Sequence, residues 1–303
     1  MSKKSRKLKK FVHWIQYAFF SAIGMLVRRL SAKTVYRMAH RIGDFLYDKL
    51  NLRRKLVEKN LERAFPEKSP AERSQIAREV YHTQAINLVE ALRMPLIRTK
   101  ADADEMLEGD LSLIYEKSLN QGKGCLLVSA HFGNWEIMAI CGGLRLKPVV
   151  VITKSQSNKF IDRKLNEWRT LHGNRMVDMK QAPRECIRAL RSGEVVCMLS
   201  DQSGPADGYF MPFLNQDASI FLGAAVFALR CRVPLIIIMP VRIADGKYRI
   251  VLEEIPTDDL TTSDADVKRL AERYIQAIES YIRRYPAQWF WLHNRWKRKR
   301  PTD

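Results

Sequence analysis

The sequence predicts an α/β protein: a mixed, mostly parallel sheet flanked by helices, with a membrane-associated helix at the N-terminus. Three observations predict it. From residue 111 onward, short apolar runs at 125–128, 148–153 and 195–199 alternate with amphipathic stretches. Before residue 95 the apolar residues recur at helical spacing instead. An apolar, aromatic segment at 11–27 lies between Lys3, Lys4, Arg6, Lys7, Lys9 and Lys10 on one side and Arg28 and Arg29 on the other. The expected organisation is a basic flank and anchor helix at 1–30, a helical region at 31–110, and an α/β domain at 111–303. A chain of 303 residues that is 46% hydrophobic has enough material for such a core.

The segment 11–27 is 17 residues long and contains His13, Gln16, Ser21 and Gly24. A spanning helix needs about 20 mostly apolar residues, so this one reads as an uncleaved anchor lying in or dipping into a leaflet. Arg28 and Arg29 follow directly, where a signal peptide would need small residues for cleavage. A buried soluble helix is the competing reading.

Val35, Ala39, Ile42, Leu46 and Leu50 mark a long helix from Ser31, and 52–65 a basic amphipathic one that stops at Pro66. Ser69-Pro70-Ala71-Glu72 reads as a helix start: Ser as N-cap, Pro at the first position, acid in the first turn. That helix ends before Pro95.

In the α/β domain, strands are expected at 125–128, 148–153, 176–179, 195–199, 235–241 and 248–253. Helices are expected from Ile137, at 160–172, 184–191, 220–230 and 267–285. Pro240 should mark an edge or a bulge. Asp201 and Gln202 fall just past the end of a buried strand, where α/β sheets place ligand contacts.

The centre of the chain is His131-Phe132-Gly133-Asn134-Trp135-Glu136, between a buried strand and a helix start. His131 and Glu136 are five positions apart and would diverge on one continuous helix. With His131 in the turn and Glu136 in the first helical turn, the carboxylate can accept Nδ1–H and leave Nε2 as a base. Amides near Gly133 are candidates to stabilise an oxyanion. A histidine that caps the helix, with Glu136 solvated, fits the spacing equally well.

The block His131-Phe132-Gly133-Asn134-Trp135-Glu136 resembles the His-x4-Glu signature of the lipid A late (secondary) acyltransferases, within the larger lysophospholipid/glycerolipid acyltransferase group. Arg191-Ser192-Gly193-Glu194 with Asp201-Gln202 and Gly204-Pro205 is similar to that family's second block. Met211-Pro212-Phe213 with Phe221-Leu222-Gly223-Ala224-Ala225 is similar to its third. Tyr285-Pro286-Ala287-Gln288-Trp289-Phe290-Trp291-Leu292-His293-Asn294-Arg295-Trp296-Lys297 resembles its C-terminal signature, with Ala287 standing where the family has Glu. Asn60 to Pro66 is also similar to a family segment.

The resemblance implies transfer of a fatty acyl chain from acyl carrier protein, as co-substrate, to a hydroxyl of a lipid A precursor. It implies His131 as general base oriented by Glu136, at the cytoplasmic face of the cell inner membrane. Gly133, Asn134, Arg169, Arg175 and Asp201 are the candidate substrate contacts, the two arginines for anionic phosphate, while Asn134 reads equally as holding the turn and Asp201 as capping the loop into Gly204.

A net charge of +19 suits anionic partners: the acidic carrier protein, the anionic lipid A precursor and inner-membrane lipid. No nucleic-acid recognition module, no Gly-x-Gly-x-x-Gly and no Walker-type loop is present, so neither nucleic acid nor nucleotide is expected. No metal spacing is visible and no cofactor is expected. The five cysteines are scattered and read as buried, reduced thiols of a cytoplasmic protein. Two alternatives stand beside the main reading. One is a related acyltransferase acting on a phosphatidylinositol mannoside, ornithine or glycerol lipid. The other is a non-catalytic membrane-surface protein.

Overall fold

The structure is a computed structural model that describes residues 3–300. Residues 1, 2 and 301–303, and the side chains of Lys3, Lys4 and Arg6 of the basic flank, lie outside the described residues.

Four helices come first: α1 (Lys3–Arg29), α2 (Ala32–Asp48), α3 (Arg54–Ala64) and α4 (Pro70–Arg93). Ser69 caps α4 as expected: its side chain accepts from Glu72 N, while the Glu72 carboxylate accepts from Ser69 N at 2.7 Å. Helix α1 carries two apolar stripes. Tyr17 and Phe20 stack on Phe160 and Trp168, with ring centroids 6.0 and 5.7 Å apart. Phe11, Ile15, Phe19 and Leu26 face outward and are exposed. No described helix is long and apolar enough to cross a membrane.

Next come α5 (Lys100–Met106), β1 (Leu107–Glu108), α6 (Ser112–Lys117), β2 (Cys125–Ser129), α7 (Trp135–Arg145), β3 (Val149–Thr153), α8 (Lys159–Arg169) and β4 (Arg175–Asp178). They are followed by α9 (Ala182–Arg191), β5 (Val195–Leu199), β6 (Tyr209–Phe213), β7 (Gln216–Ile220), α10 (Gly223–Cys231), β8 (Leu235–Ala244), β9 (Lys247–Ile255) and α11 (Asp264–Arg284). The main sheet has the order β1-β9-β8-β2-β5-β3-β4. Only β8 and β9 pair antiparallel, so the sheet is mixed and mostly parallel.

Strand alternation sorts the core into two layers. Leu126, Val128 and Val196 face the layer filled by α9, α10, α11, α3 and the first half of α4. Cys125, Leu127 and Val195 face the layer filled by α7 and the second half of α4. All five cysteines are free, and only Cys231 is not fully buried.

Pro240 stands, as expected, at an edge position, while the place of the bulge and the start of one helix are corrected. Pro240 pairs with Ile250 of β9, and β2 pairs with β8 only through Ile237, so no second neighbour needs its missing N–H. The bulge lies later, between Arg242 and Ala244. The helix expected from Ile220 begins at Gly223, because Ile220 closes the hairpin β6–β7. That hairpin turns through Leu214 and Asn215, both at positive φ (50° and 60°), without the glycine that would have announced it.

Candidate active site

Strand register brings the first pair together. β2 and β5 run parallel with Ser129 opposite Leu199, so the residues two beyond each strand end, His131 and Asp201, meet at the same edge of the sheet. His131 Nδ1 lies 2.8 Å from Asp201 Oδ1. Asp201 is buried, and its other oxygen accepts from Trp289 Nε1 at 2.7 Å. Burial alone would push its carboxyl up. The charge of His131 and hydrogen bonds from the His131 ring, Trp289 and the His131 backbone instead hold it below the usual carboxylate range.

A charged Asp201 accepts, so His131 Nδ1 donates, and in the neutral ring Nε2 is the nitrogen with the lone pair. Gln202 Nε2 stands 3.1 Å from that nitrogen and donates to it. The imidazole lies between Trp135 and Phe290, with ring centroids 5.0 and 6.3 Å away. Its side chain is 22% exposed, enough to meet a substrate.

Glu136 does not orient His131. It begins α7 with its carboxylate turned to Arg169 at the end of α8, accepting from Nε at 2.7 Å and Nη2 at 2.5 Å. The spacing explains this: five positions on, across a turn and into the helix, the side chain leaves the face that His131 occupies. Burial opposes the Arg169 charge, but Glu136 outweighs it and raises the guanidinium further. Arg169 Nη1 donates to Asn166 at 3.0 Å, so the guanidinium expected to bind phosphate is engaged within the protein.

The other candidates also move. Asp201 is oriented toward His131 and Trp289 rather than toward a ligand. Gly133, at φ 54°, donates to the Gln288 carbonyl at 3.0 Å, so its amide is not free for an oxyanion. A Cβ at Gly133 would overlap the Pro240 carbonyl oxygen. Asn134 is buried; its Oδ1 accepts from the Glu136 and Ile137 amides at 3.1 and 3.2 Å and caps α7. Its Nδ2 donates to Glu90 at 2.7 Å. Arg175 starts β4, at the opposite end of the parallel strands from His131, and pairs with Glu185 and Glu194 at 3.3 and 3.0 Å.

The C-terminal signature wraps this turn. Phe290 N donates to the His131 carbonyl at 2.9 Å, and Phe132 bridges to Trp289. Asn60 of α3 holds the signature from below, donating to the carbonyls of Trp291 and His293 at 2.9 and 3.0 Å. Arg295 is fully buried, with Nη1 on the Ser219 carbonyl at 2.9 Å and its guanidinium 5.0 Å from the Phe213 ring centroid.

A family profile described as bacterial lipid A biosynthesis acyltransferase matches residues 1–298. The chain belongs to that family. In this member of the family the His-x4-Glu histidine lies on an aspartate of the second block. Among curated relatives, the chain is 27% identical to the lipid A biosynthesis lauroyltransferase of Escherichia coli (strain K12) over 293 residues, 94% of this chain and 92% of that one. It is 26% identical to the palmitoleoyltransferase of the same organism over 302 residues, 95% and 94% of the two chains. A phosphatidylinositol mannoside acyltransferase of Mycolicibacterium smegmatis (strain ATCC 700084 / mc(2)155) is 21% identical over 211 residues, 68% of this chain and 67% of that one.

Trp289 of the C-terminal signature is a direct partner of Asp201. Glu90 and Asn87 were not singled out, because nothing on an amphipathic helix distinguishes a buried carboxylate from a solvated one.

Proposed function

We propose that this protein transfers a fatty acyl chain from an acyl carrier protein thioester to a hydroxyl of a lipid A precursor, with His131 as general base. The observation that carries the proposal is the 2.8 Å bond from His131 Nδ1 to Asp201, which leaves Nε2 as the basic nitrogen. The acceptor hydroxyl takes the place that the Gln202 amide holds beside Nε2. Its proton passes to Nε2 as its oxygen attacks the thioester carbonyl carbon. The tetrahedral intermediate collapses with cleavage of the C–S bond, and the imidazolium returns the proton to the departing thiolate. The products are an ester and the free carrier thiol. Asp201 stabilises the imidazolium between these steps, as the carboxylate of a triad does. The Glu136–Arg169 pair ties α7 to α8 beside the reacting group.

The setting proposed is the cytoplasmic face of the inner membrane. The exposed stripe of α1 supports this, with Lys7, Lys9 and Lys10 exposed beside it. The helix would lie in the leaflet rather than cross it. The excess positive charge would attract both the anionic lipid and an acidic carrier protein.

The test is mass spectrometry of lipids after incubation of purified protein, in mixed micelles, with acyl carrier protein thioesters and a tetra-acylated lipid A precursor. The expected result is one added acyl chain, lost in His131→Ala. Addition to a phosphatidylinositol mannoside, ornithine or glycerol lipid instead would keep the chemistry and change the acceptor. No transfer to any acceptor would overturn the proposal.

A further inference from the structure

We propose that Glu90, on a helix of the N-terminal layer, is the positioning residue of the turn that carries His131. This rests on the reading of His131 as the base. Among the described residues, no hydrogen bond joins Glu90 to His131. Glu90 is 1% exposed, and its carboxylate is gripped from four directions. Oε1 accepts from Tyr36 of α2 at 3.1 Å and from Arg242 of β8 at 3.3 Å. Oε2 accepts from Tyr248 of β9 and from Asn134 Nδ2 at 2.7 Å.

The bond to Asn134 sets the turn. A carboxylate cannot donate, so the amide nitrogen of Asn134 must face Glu90. Its oxygen must then face the Glu136 and Ile137 amides that open α7. One helical turn earlier on α4, Asn87 donates to the Gly133 carbonyl at 2.7 Å. Arg242 Nη2 donates to Asn87 Oδ1 at 2.5 Å, and so joins Asn87 and Glu90 into one unit. Two adjacent turn residues are thereby held from α4 while Gln288 and Phe290 hold the turn from the other side. A buried ionised cluster is a weak source of stability compared with apolar packing of the same volume. What it supplies here is a single geometry for the backbone that aims the imidazole.

The test is a double-mutant cycle. Glu90→Gln sets an amide against Arg242 or Asn134, and about a ten- to hundred-fold lower kcat is expected with little change in KM. Asn134→Asp sets two carboxylates together and should do more harm. Combined, the amide at 90 donates to the carboxylate at 134, and kcat should return to within about five-fold of the parent. A second readout needs no turnover: hydrogen exchange of the Phe132–Ile137 amides should quicken in Glu90→Gln and slow again in the double variant. Unchanged kcat and exchange in Glu90→Gln, or a double variant no better than its worse parent, would overturn the inference. Loss of transfer in the parent protein with the exchange pattern intact would instead strike the proposed function alone.

Discussion

His131 Nδ1 donates to Asp201, across 70 residues of sequence, while Glu136, five residues away, turns to Arg169. The two carboxylates therefore have different tasks. Asp201→Asn should remove the acceptor that fixes the His131 tautomer, and kcat should fall by about 10²–10⁴-fold with a folded protein remaining. Steady-state kinetics with near-normal thermal unfolding would check it. A variant with full kcat would remove Asp201 from the mechanism.

The Glu136–Arg169 pair should show in stability as well as rate. Its side chains are 18% and 11% exposed, so each alone is left with little water to replace its partner. Arg169→Ala should cost about 1–3 kcal/mol, below the fully buried range because some solvent contact remains. Glu136→Gln combined with Arg169→Ala should cost less than the two singles added. Urea unfolding of the four proteins gives the coupling.

Much of the fold was legible because its signals are local. Short apolar runs gave β2, β3 and β5, and Ser69-Pro70 gave the start of α4. His131 was legible as a motif. Its partner was not, because pairing depends on which strand lies beside β2, and only the β2–β5 register brings Asp201 there. Glu90 was illegible for the same reason. Its burial arises where α2, β8, β9 and the turn converge, and none of these is near it in sequence. Leu214 escaped notice because a leucine at φ 50° contradicts the residue preference by which such turns are recognised.

Gly133 is where the turn meets β8. Gly133→Ala meets both a left-handed φ and the Pro240 carbonyl, and should destabilise by more than about 3 kcal/mol. Gly142 lies inside α7 with open space around its would-be side chain. Gly142→Ala should therefore stabilise by about 0.5–1 kcal/mol. Thermal unfolding of the two variants, measured together, tests whether the constraint is specific to the His131 turn.

His293 gives the fold a pH dependence. Burial first, then the positive charge of Lys297, lowers its imidazole to about 4 from an ordinary 6.5. Between those values the unfolded chain binds a proton at this site that the folded protein refuses. Stability should therefore fall as pH drops from about 6.5 toward 4, by about 1–2 kcal/mol after allowance for partial solvent screening. His293→Gln should flatten that part of the curve in chemical denaturation. An unchanged slope would assign the acid sensitivity to other groups.

The outward stripe of α1 sets the last expectation. Phe11 and Phe19 are 58% and 69% exposed, eight positions apart on one helix face, while Phe20 on the other face stacks on Trp168. If the outer stripe lies in a leaflet, Phe11→Glu with Phe19→Glu should weaken binding to phosphatidylglycerol-containing vesicles at least about ten-fold, since each ring contributes about 1.5–3 kcal/mol of apolar burial. Folding should be untouched, because neither ring packs against the body. Raising salt should weaken the parent protein's binding through Lys7, Lys9 and Lys10. It should weaken the variant's residual binding in the same way, because the charges remain. Equal vesicle binding by parent and variant would mean that this stripe is not the surface that meets the membrane.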